Sequence, residues 1–369
     1  MRNSERTRSS SRRRRVVAAC FAGLTVAVAG SSDARAQQQA EGFGVERLYL
    51  SAPGAGWFVM DTLDMRGGLG GVAALTLGYA HDPLRVKSSD GSQHLAVVSD
   101  EAFANFGFAA TYDRWRLYLN FNMPLVIEGQ SGTVGNYQFA APSVDPGVNP
   151  DLLSDVRIGF EGRLLGDAGS PLRLGVDAQL FVPNGERAEY DTDGSYRAMA
   201  HILVAGDLGL FTYAGQLGVH VRPLDDSPIP GSPKGSELLF GVAGGAKVVA
   251  SERLHTALIV GPEFFGATAF QSFLGSSGTA LEGLLSARLE GTRDDEPQLR
   301  FKLGFGAGID PRFGAPEWRA VVAIEMFDHH ADRDRDGVPN GHDACPDTPG
   351  IRSKDPRTNG CPGPDNARP

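Results

Sequence analysis

Near the C-terminal end of the chain, Asp332, Asp334 and Asp336 alternate with arginines, and Gly337, Asn340 and Asp343 follow. Carboxylates at alternate positions of a short loop offer hard oxygen ligands, and calcium takes about six to eight such oxygens. Counted from Asp332, the carboxylates stand at positions 1, 3 and 5 and the glycine at 6, where a tight turn is needed. Val338 can give its carbonyl at position 7, Asn340 stands at 9 and Asp343 at 12. The expected cofactor is therefore Ca2+, held by Asp332, Asp334, Asp336, Val338, Asn340 and Asp343. Position 12 is Asp instead of Glu, Pro339 lies inside the loop, and a strand-like RAVVAIEMF precedes it. The loop is thus not an EF-hand. The plainer alternative is a solvated acidic linker. His329 and His330 beside the loop are a weaker pair for a transition metal.

The N-terminus shows what compartment this loop meets. A basic stretch, MRNSERTRSSSRRRR, precedes fifteen apolar or small residues, 16–30, and then Ala34 and Ala36. This is the pattern of a secretory signal peptide over residues 1–36. The apolar run is short for a spanning helix, which needs roughly 20 residues. Cys20 leaves with the signal, and Cys345 and Cys361 remain as an even pair in an exported chain. A disulfide between them is the natural reading. In the chain-entropy picture, closing such a loop contributes on the order of 3 kcal/mol. Removing residues 1–36 removes eight Lys+Arg and two Asp+Glu, which leaves 35 − 8 = 27 basic and 44 − 2 = 42 acidic residues, a net charge of −15. That balance argues against a nucleic-acid partner.

What must position the loop is a long run of alternating segments. In RWRLYLNFNM, Trp115, Leu117, Leu119, Phe121 and Met123 share one face, and Arg114, Arg116, Tyr118, Asn120 and Asn122 share the other. The same alternation recurs in DVRIGFEGRLL, LRLGVDAQLFV and QLRFKLGFGAGI. Period-2 patterning marks strands with one apolar and one polar face. Twelve such segments are predicted, at 71–80, 104–112, 114–123, 154–165, 172–182, 197–206, 211–221, 236–248, 254–265, 280–290, 298–309 and 317–327. Each is near the roughly 9–11 residues that a tilted membrane strand needs.

Connections between them alternate long and short, the asymmetry of outer-membrane barrels. Residues 81–103 are expected to be the first long connection, and the chain is expected to turn tightly at Asp113. The predicted fold is all-β: a transmembrane antiparallel up-and-down barrel of about twelve strands over 69–327, with a disulfide-closed calcium tail over 328–369. A soluble β-sandwich, with the apolar faces packed on each other, is the bland alternative. Residues 37–68 are an arm, a plug or an extra hairpin. Tyr79, Tyr112, Trp115, Tyr196, Phe211, Phe265, Trp318 and Phe327 mark strand ends and are expected to form interfacial girdles.

The polar face is expected to line the lumen with Arg114, Arg116, Arg157, Glu161, Arg163, Arg173, Asp177, His220, Arg222, Arg300 and Lys302. Such charges set selectivity in an open pore, here with an excess of arginine. The alternative is a salt-bridged filling of a narrow barrel with no open path. None of the eight histidines stands in a Gly-x-Ser-x-Gly or His-Glu-x-x-His context, so enzymatic function is not expected.

The tail also resembles a known module. Asp332-x-Asp334-x-Asp336-Gly337, Asp343-x-Cys345-Pro346, Pro349-Gly350 and Asn359-Gly360-Cys361-Pro362 look like a thrombospondin type-3-like repeat. Such repeats link barrel and periplasmic domain in some OmpA-family outer-membrane proteins, and YAHDPLRV at 79–86 is a local echo of that family's barrels. The resemblance implies calcium at Asp332, Asp334, Asp336, Asn340 and Asp343, and a Cys345–Cys361 bridge. The family's peptidoglycan-binding domain should follow the linker, whereas this sequence ends 369 − 361 = 8 residues after Cys361. Peptidoglycan contact is therefore not expected. The expected partners are outer-membrane lipid and lipopolysaccharide, with a small-molecule solute in the lumen. The expected location is the outer membrane with the tail in the periplasm, and the expected activity is passive passage of small solutes. A structural or adhesion anchor with a closed barrel is the alternative.

Overall fold

Alternation of apolar and polar side chains closes into a ring. The computed structural model describes residues 38–65, 67–88, 90–149, 153–224, 235–251, 256–275, 278–291, 298–310, 314–330, 332, 334 and 336–363. The expected signal peptide lies outside these residues. Twelve long strands pair antiparallel with their sequence neighbours: β1 Leu69–Lys87, β2 His94–Tyr112, β3 Trp115–Glu128, β4 Val156–Leu165, β5 Arg173–Val182 and β6 Arg197–Leu208. They continue as β7 Phe211–Val221, β8 Glu237–Ser251, β9 Thr256–Ala269, β10 Thr279–Gly291, β11 Gln298–Asp310 and β12 Trp318–His330. β12 returns to pair with β1, from Trp318 opposite His81 to His330 opposite Leu69. Closure leaves the long strands without an open edge. The two-residue Ser143–Val144 strand adds to β3.

The apolar face points out. Leu117, Phe160, Leu217, Val242, Leu285, Leu303 and Phe305 are between 47 and 60 % exposed. A continuous outward apolar band around a closed barrel is what lipid requires. The sandwich alternative fails here, because the apolar faces do not pack on one another.

One end of the barrel has tight turns and the other long loops. Asp113–Arg114 and Gly209–Leu210 are two-residue turns. Asp113 and Gly209 both have φ in the left-handed range, 56° and 67°, as tight hairpins demand. At the opposite end, 129–155 and 183–196 are long connections.

The expectation of a long loop over 81–103 is corrected. β1 and β2 run past Asp82 and Pro83 and pair up to Lys87 opposite His94, with a register shift between His81 and Leu84. Asp82 takes a left-handed φ of 51° there. A bulge thus absorbs the proline, which a regular ladder would not tolerate. The extension has its own core: Leu84, Val86, Val97 and Val98 pack with Ile127, Val134, Phe139 and Phe43.

Girdle aromatics divide. Tyr112, Trp115 and Phe211 are exposed at the tight-turn end, and Tyr196 and Trp318 at the long-loop end. Phe265 is 5 % exposed and belongs to the interior core, and Phe327 packs inward against Ala55 and Val72.

Candidate functional site: a plugged lumen and an acidic tail loop

Residues 40–65 occupy the lumen. The segment has almost no regular structure, yet Trp57, Phe58, Met60 and Leu63 are 0–1 % exposed. They form one core with the barrel's inward residues Phe103, Leu203, Ile259, Phe265, Leu284 and Val321. Inward glycines make room for them. A Cβ on Gly241 would stand 2.6 Å from Met60 Sδ, and one on Gly245 2.5 Å from the Trp57 ring. Side chains this large approach the wall only where the wall has none.

A chain without helix or ladder must still satisfy its backbone groups. Here the charged wall supplies many of the partners, beside local bonds such as Ser51 N–H to Phe58 O at 2.8 Å. Arg157 donates to the Leu50 carbonyl, Arg300 to Gly54 O at 3.1 Å and Lys302 to Trp57 O at 3.3 Å. Arg173 Nε donates to Thr62 O at 2.8 Å, and Arg163 to Leu63 O and Met65 O at 3.0 and 2.6 Å. In the other sense, Glu263 accepts from the Phe58 and Val59 N–H groups at 3.0 and 2.9 Å. Ion pairs lock the segment further: Asp61 with Arg116 at 2.6 Å, Arg47 with Glu237 at 2.7 Å and Glu46 with Arg319 at 2.7 Å.

The expected lumen residues thus do face inward. Arg116, Arg157, Glu161, Arg163, Arg173, Asp177, His220, Arg222, Arg300 and Lys302 are all buried. Arg114 is the exception and the correction: it sits in the tight turn after β2, with its side chain 40 % exposed beside Asp113. Turn residues do not keep the strand's alternation. Several of the inward charges also pair along the wall. Arg116 reaches Glu161 at 3.2 Å, Arg300 and Lys302 share Glu325 at 3.0 and 2.8 Å, and Asp177 accepts from Tyr118 Oη at 2.7 Å and meets His201 Nδ1 at 2.9 Å. His220 packs against the Tyr49 and Phe181 rings.

At the long-loop end Arg222, just past β7, bridges Asp193 at 2.6 Å and Glu237 at 3.0 Å. Asp193 also accepts the Gly44 N–H at 2.9 Å, so the loop over 183–196 clasps the plug. Burial alone would raise the Asp193 carboxyl, but Arg222, Arg197 and the Gly44 N–H hold it well below the usual aspartate range.

Reading by alternation missed Glu46, Arg47, Asp61, Glu263 and Arg319. Glu263 and Arg319 do lie on inward faces of strands, so the period-2 signal reaches them. The plug residues carry no such signal.

Among the described residues, cavities flank the plug at both ends. Toward the long-loop end are spaces of about 40 and 80 Å³, both bordered by Tyr49 and Leu50 of the plug. At the tight-turn end a wider one of about 480 Å³ is lined by Thr62, Arg173, Lys247, Arg288 and Arg300 and by Asn340 of the tail.

In the tail, the carboxylates of Asp332, Asp334 and Asp336 converge, with one oxygen of each within 4.8 Å of the others. Asp332 accepts the Gly337 N–H at 2.8 Å, and Asp336 accepts those of Val338 and Gly350 at 2.8 and 2.9 Å. Gly337 has φ 88°, the left-handed turn its place in the loop requires. Asp334 Oδ2 and Asp343 Oδ2 are buried with no hydrogen-bond partner. Burial, and then Asp336, Asp343 and Asp332, push the Asp334 carboxyl up. Oxygens left in this state fit a hard cation. Val338 is 2 % exposed, and Asn340 also borders the barrel cavity. Cys345 and Cys361 form a disulfide with Cα atoms 5.0 Å apart.

No family model and no curated protein matches this chain. Among solved structures, the COG4313 outer membrane channel from Pseudomonas putida F1 is 12 % identical, with a TM-score of 0.46 over 72 % of this chain and 98 % of that one. The CymD monoaromatic hydrocarbon channel is 10 % identical, with a TM-score of 0.36 over 73 % and 91 %. The β domain of the Bordetella autotransporter BrkA is 15 % identical, with a TM-score of 0.34 over 69 % and 98 %. The class of the protein rests on its own strand pairing: it is a closed twelve-stranded antiparallel β-barrel with an apolar outer face.

Proposed function

We propose that the protein is an outer-membrane conduit for small solutes that rests closed, with residues 40–65 as its plug. One observation carries this reading. The wall's polar hold on the plug includes six side chains bonded to plug backbone, from Arg157, Arg163, Arg173, Arg300, Lys302 and Glu263. Water can take over every one of those bonds, so the wall suits an aqueous path when the plug shifts. The wall's arginines then face solute.

A second reading, a closed barrel serving as an anchor, is favoured by the apolar core that Trp57, Phe58, Met60 and Leu63 build inside the lumen. Planar-bilayer conductance separates the two. The conduit reading expects rare openings from the full-length chain and frequent ones after deletion of 40–65. Silence from both proteins removes it.

We further propose that the tail binds Ca2+ through Asp332, Asp334, Asp336 and Asp343, supported by the two partnerless buried carboxylate oxygens and by the tail's likeness to a thrombospondin type-3-like repeat. In this reading the tail lies in the periplasm, on the same side as the tight turns. Calorimetry on the purified chain showing no heat of calcium binding would sink this.

A further inference from the structure

We propose that the tight-turn cavity is a binding site for a small oxyanion, a carboxylate or phosphate group. The proposal deepens the conduit reading by naming the solute class, and it rests on that reading for its purpose but not for its chemistry.

The cavity measures about 480 Å³, room for a small metabolite beside water. Among the described residues, four cations line it, Arg173, Lys247, Arg288 and Arg300, with Asp64, Asp207 and Glu290 as the anions. The pairing is uneven. Glu290 is divided between Arg300 at 2.9 Å and Arg288 at 3.4 Å. Arg173 takes Asp207 at 2.7 Å. Lys247 makes no ion pair among the described residues. Arg288 is 6 % exposed and stacks 4.6 Å over the Trp57 ring; its Nε meets Glu290 only at the 3.4 Å ion-pair distance, without a hydrogen bond, and its Nη1 has no hydrogen-bond partner. Arg173 Nη2 and Thr212 Oγ1, on the same lining, are also buried without partners. Buried donors without hydrogen-bond partners, Arg173 Nη2 and Arg288 Nη1 among them, therefore border an open space.

Buried guanidinium groups short of acceptors recruit planar or tetrahedral oxyanions, which take two N–H bonds at once. A cation ligand would leave these donors as they are. A neutral sugar would meet them with weaker acceptors.

Trp57 is a built-in reporter. The other two tryptophans, Trp115 and Trp318, lie on the outer surface, so a Trp115→Phe/Trp318→Phe background isolates it. In detergent and EGTA, titration with inorganic phosphate and, separately, with acetate is expected to shift Trp57 emission saturably. Saturation by both, or by either one, supports the site and names the group. Arg288→Gln and Lys247→Gln are each expected to weaken binding by about tenfold. Lys87→Gln, at the opposite end of the barrel, should not. No saturable shift with either anion, or one that neither cavity variant weakens, overturns the proposal. Binding is read on the closed barrel, so silent bilayers would sink the conduit and leave this site standing. The converse also holds.

Discussion

Asp61 of the plug and Arg116 of β3 stand 2.6 Å apart with side chains 5 and 2 % exposed, and Arg116 has a second carboxylate, Glu161, at 3.2 Å. The two partners are not equivalent. Asp61→Asn leaves Arg116 still paired, so it should cost about 1–2 kcal/mol. Arg116→Met strands two buried carboxylates and should cost about 3–5 kcal/mol. Urea unfolding in micelles orders the two. Equal losses would show that the cluster does not act as a triad.

Gly241 exists to admit Met60. Gly241→Val drives a side chain into Met60 Sδ, and overpacking of this kind costs about 1–3 kcal/mol. The cheaper relief is for the plug to move. In a Leu63→Cys background the new thiol should resist maleimide, since Leu63 is fully buried. Adding Gly241→Val should make it react. Continued protection would mean that the plug is not the part that yields.

The clasp at Asp193 sets a pH dependence. Its folded carboxyl is depressed, so its contribution is present above the unfolded value, about 3.9, and is lost as pH falls below that toward the folded one. Proteolysis of the loop over 183–196 should therefore be unchanged from pH 7 to about pH 4 and should rise in stronger acid. Arg222→Gln should move that rise to higher pH. A profile that Arg222→Gln leaves in place would detach the clasp from Asp193.

For the tail, Asp334→Asn and Asp343→Asn each remove a carboxylate whose oxygen lacks a partner. Each should lower calcium affinity by about tenfold or more, because ligand charge sets affinity in such loops. Calorimetry on the full chain measures it. Cys345→Ser should leave the affinity of the Asp332–Asp343 loop nearly intact while speeding proteolysis after Cys345, because the bridge restrains the segment that follows.

How much of this was legible follows from periodicity. The twelve strands and the inward facing of Arg157, Arg173 or Lys302 came from alternation, which depends only on adjacent residues. The bulge at Asp82 and Pro83 did not, because an aspartate and a proline read as a turn unless one knows that Val97 and Val98 wait across the ladder. The plug was least legible. Its backbone bonds go partly to distant wall side chains and partly to irregular local turns, such as Ser51 N–H to Phe58 O and Thr62 N–H to Ala55 O, so nothing in residues 40–65 repeats. Whether the inward charges meet solute, one another or a peptide is a difference that spacing along one strand does not record; here many of them meet the peptide of 40–65.

The plug immediately precedes β1, and β1 forms the seam with β12, the last strand made. That imposes a sequence of events on assembly. Either residues 40–65 settle onto a half-built, still open sheet before the seam zips, with Glu263 and Arg319 of the late strands arriving to cover them, or a sealed cylinder must be threaded afterwards by a segment carrying Trp57 and Phe58. The first route makes the plug a template on which the wall is completed, and a chain lacking it would have to close around water.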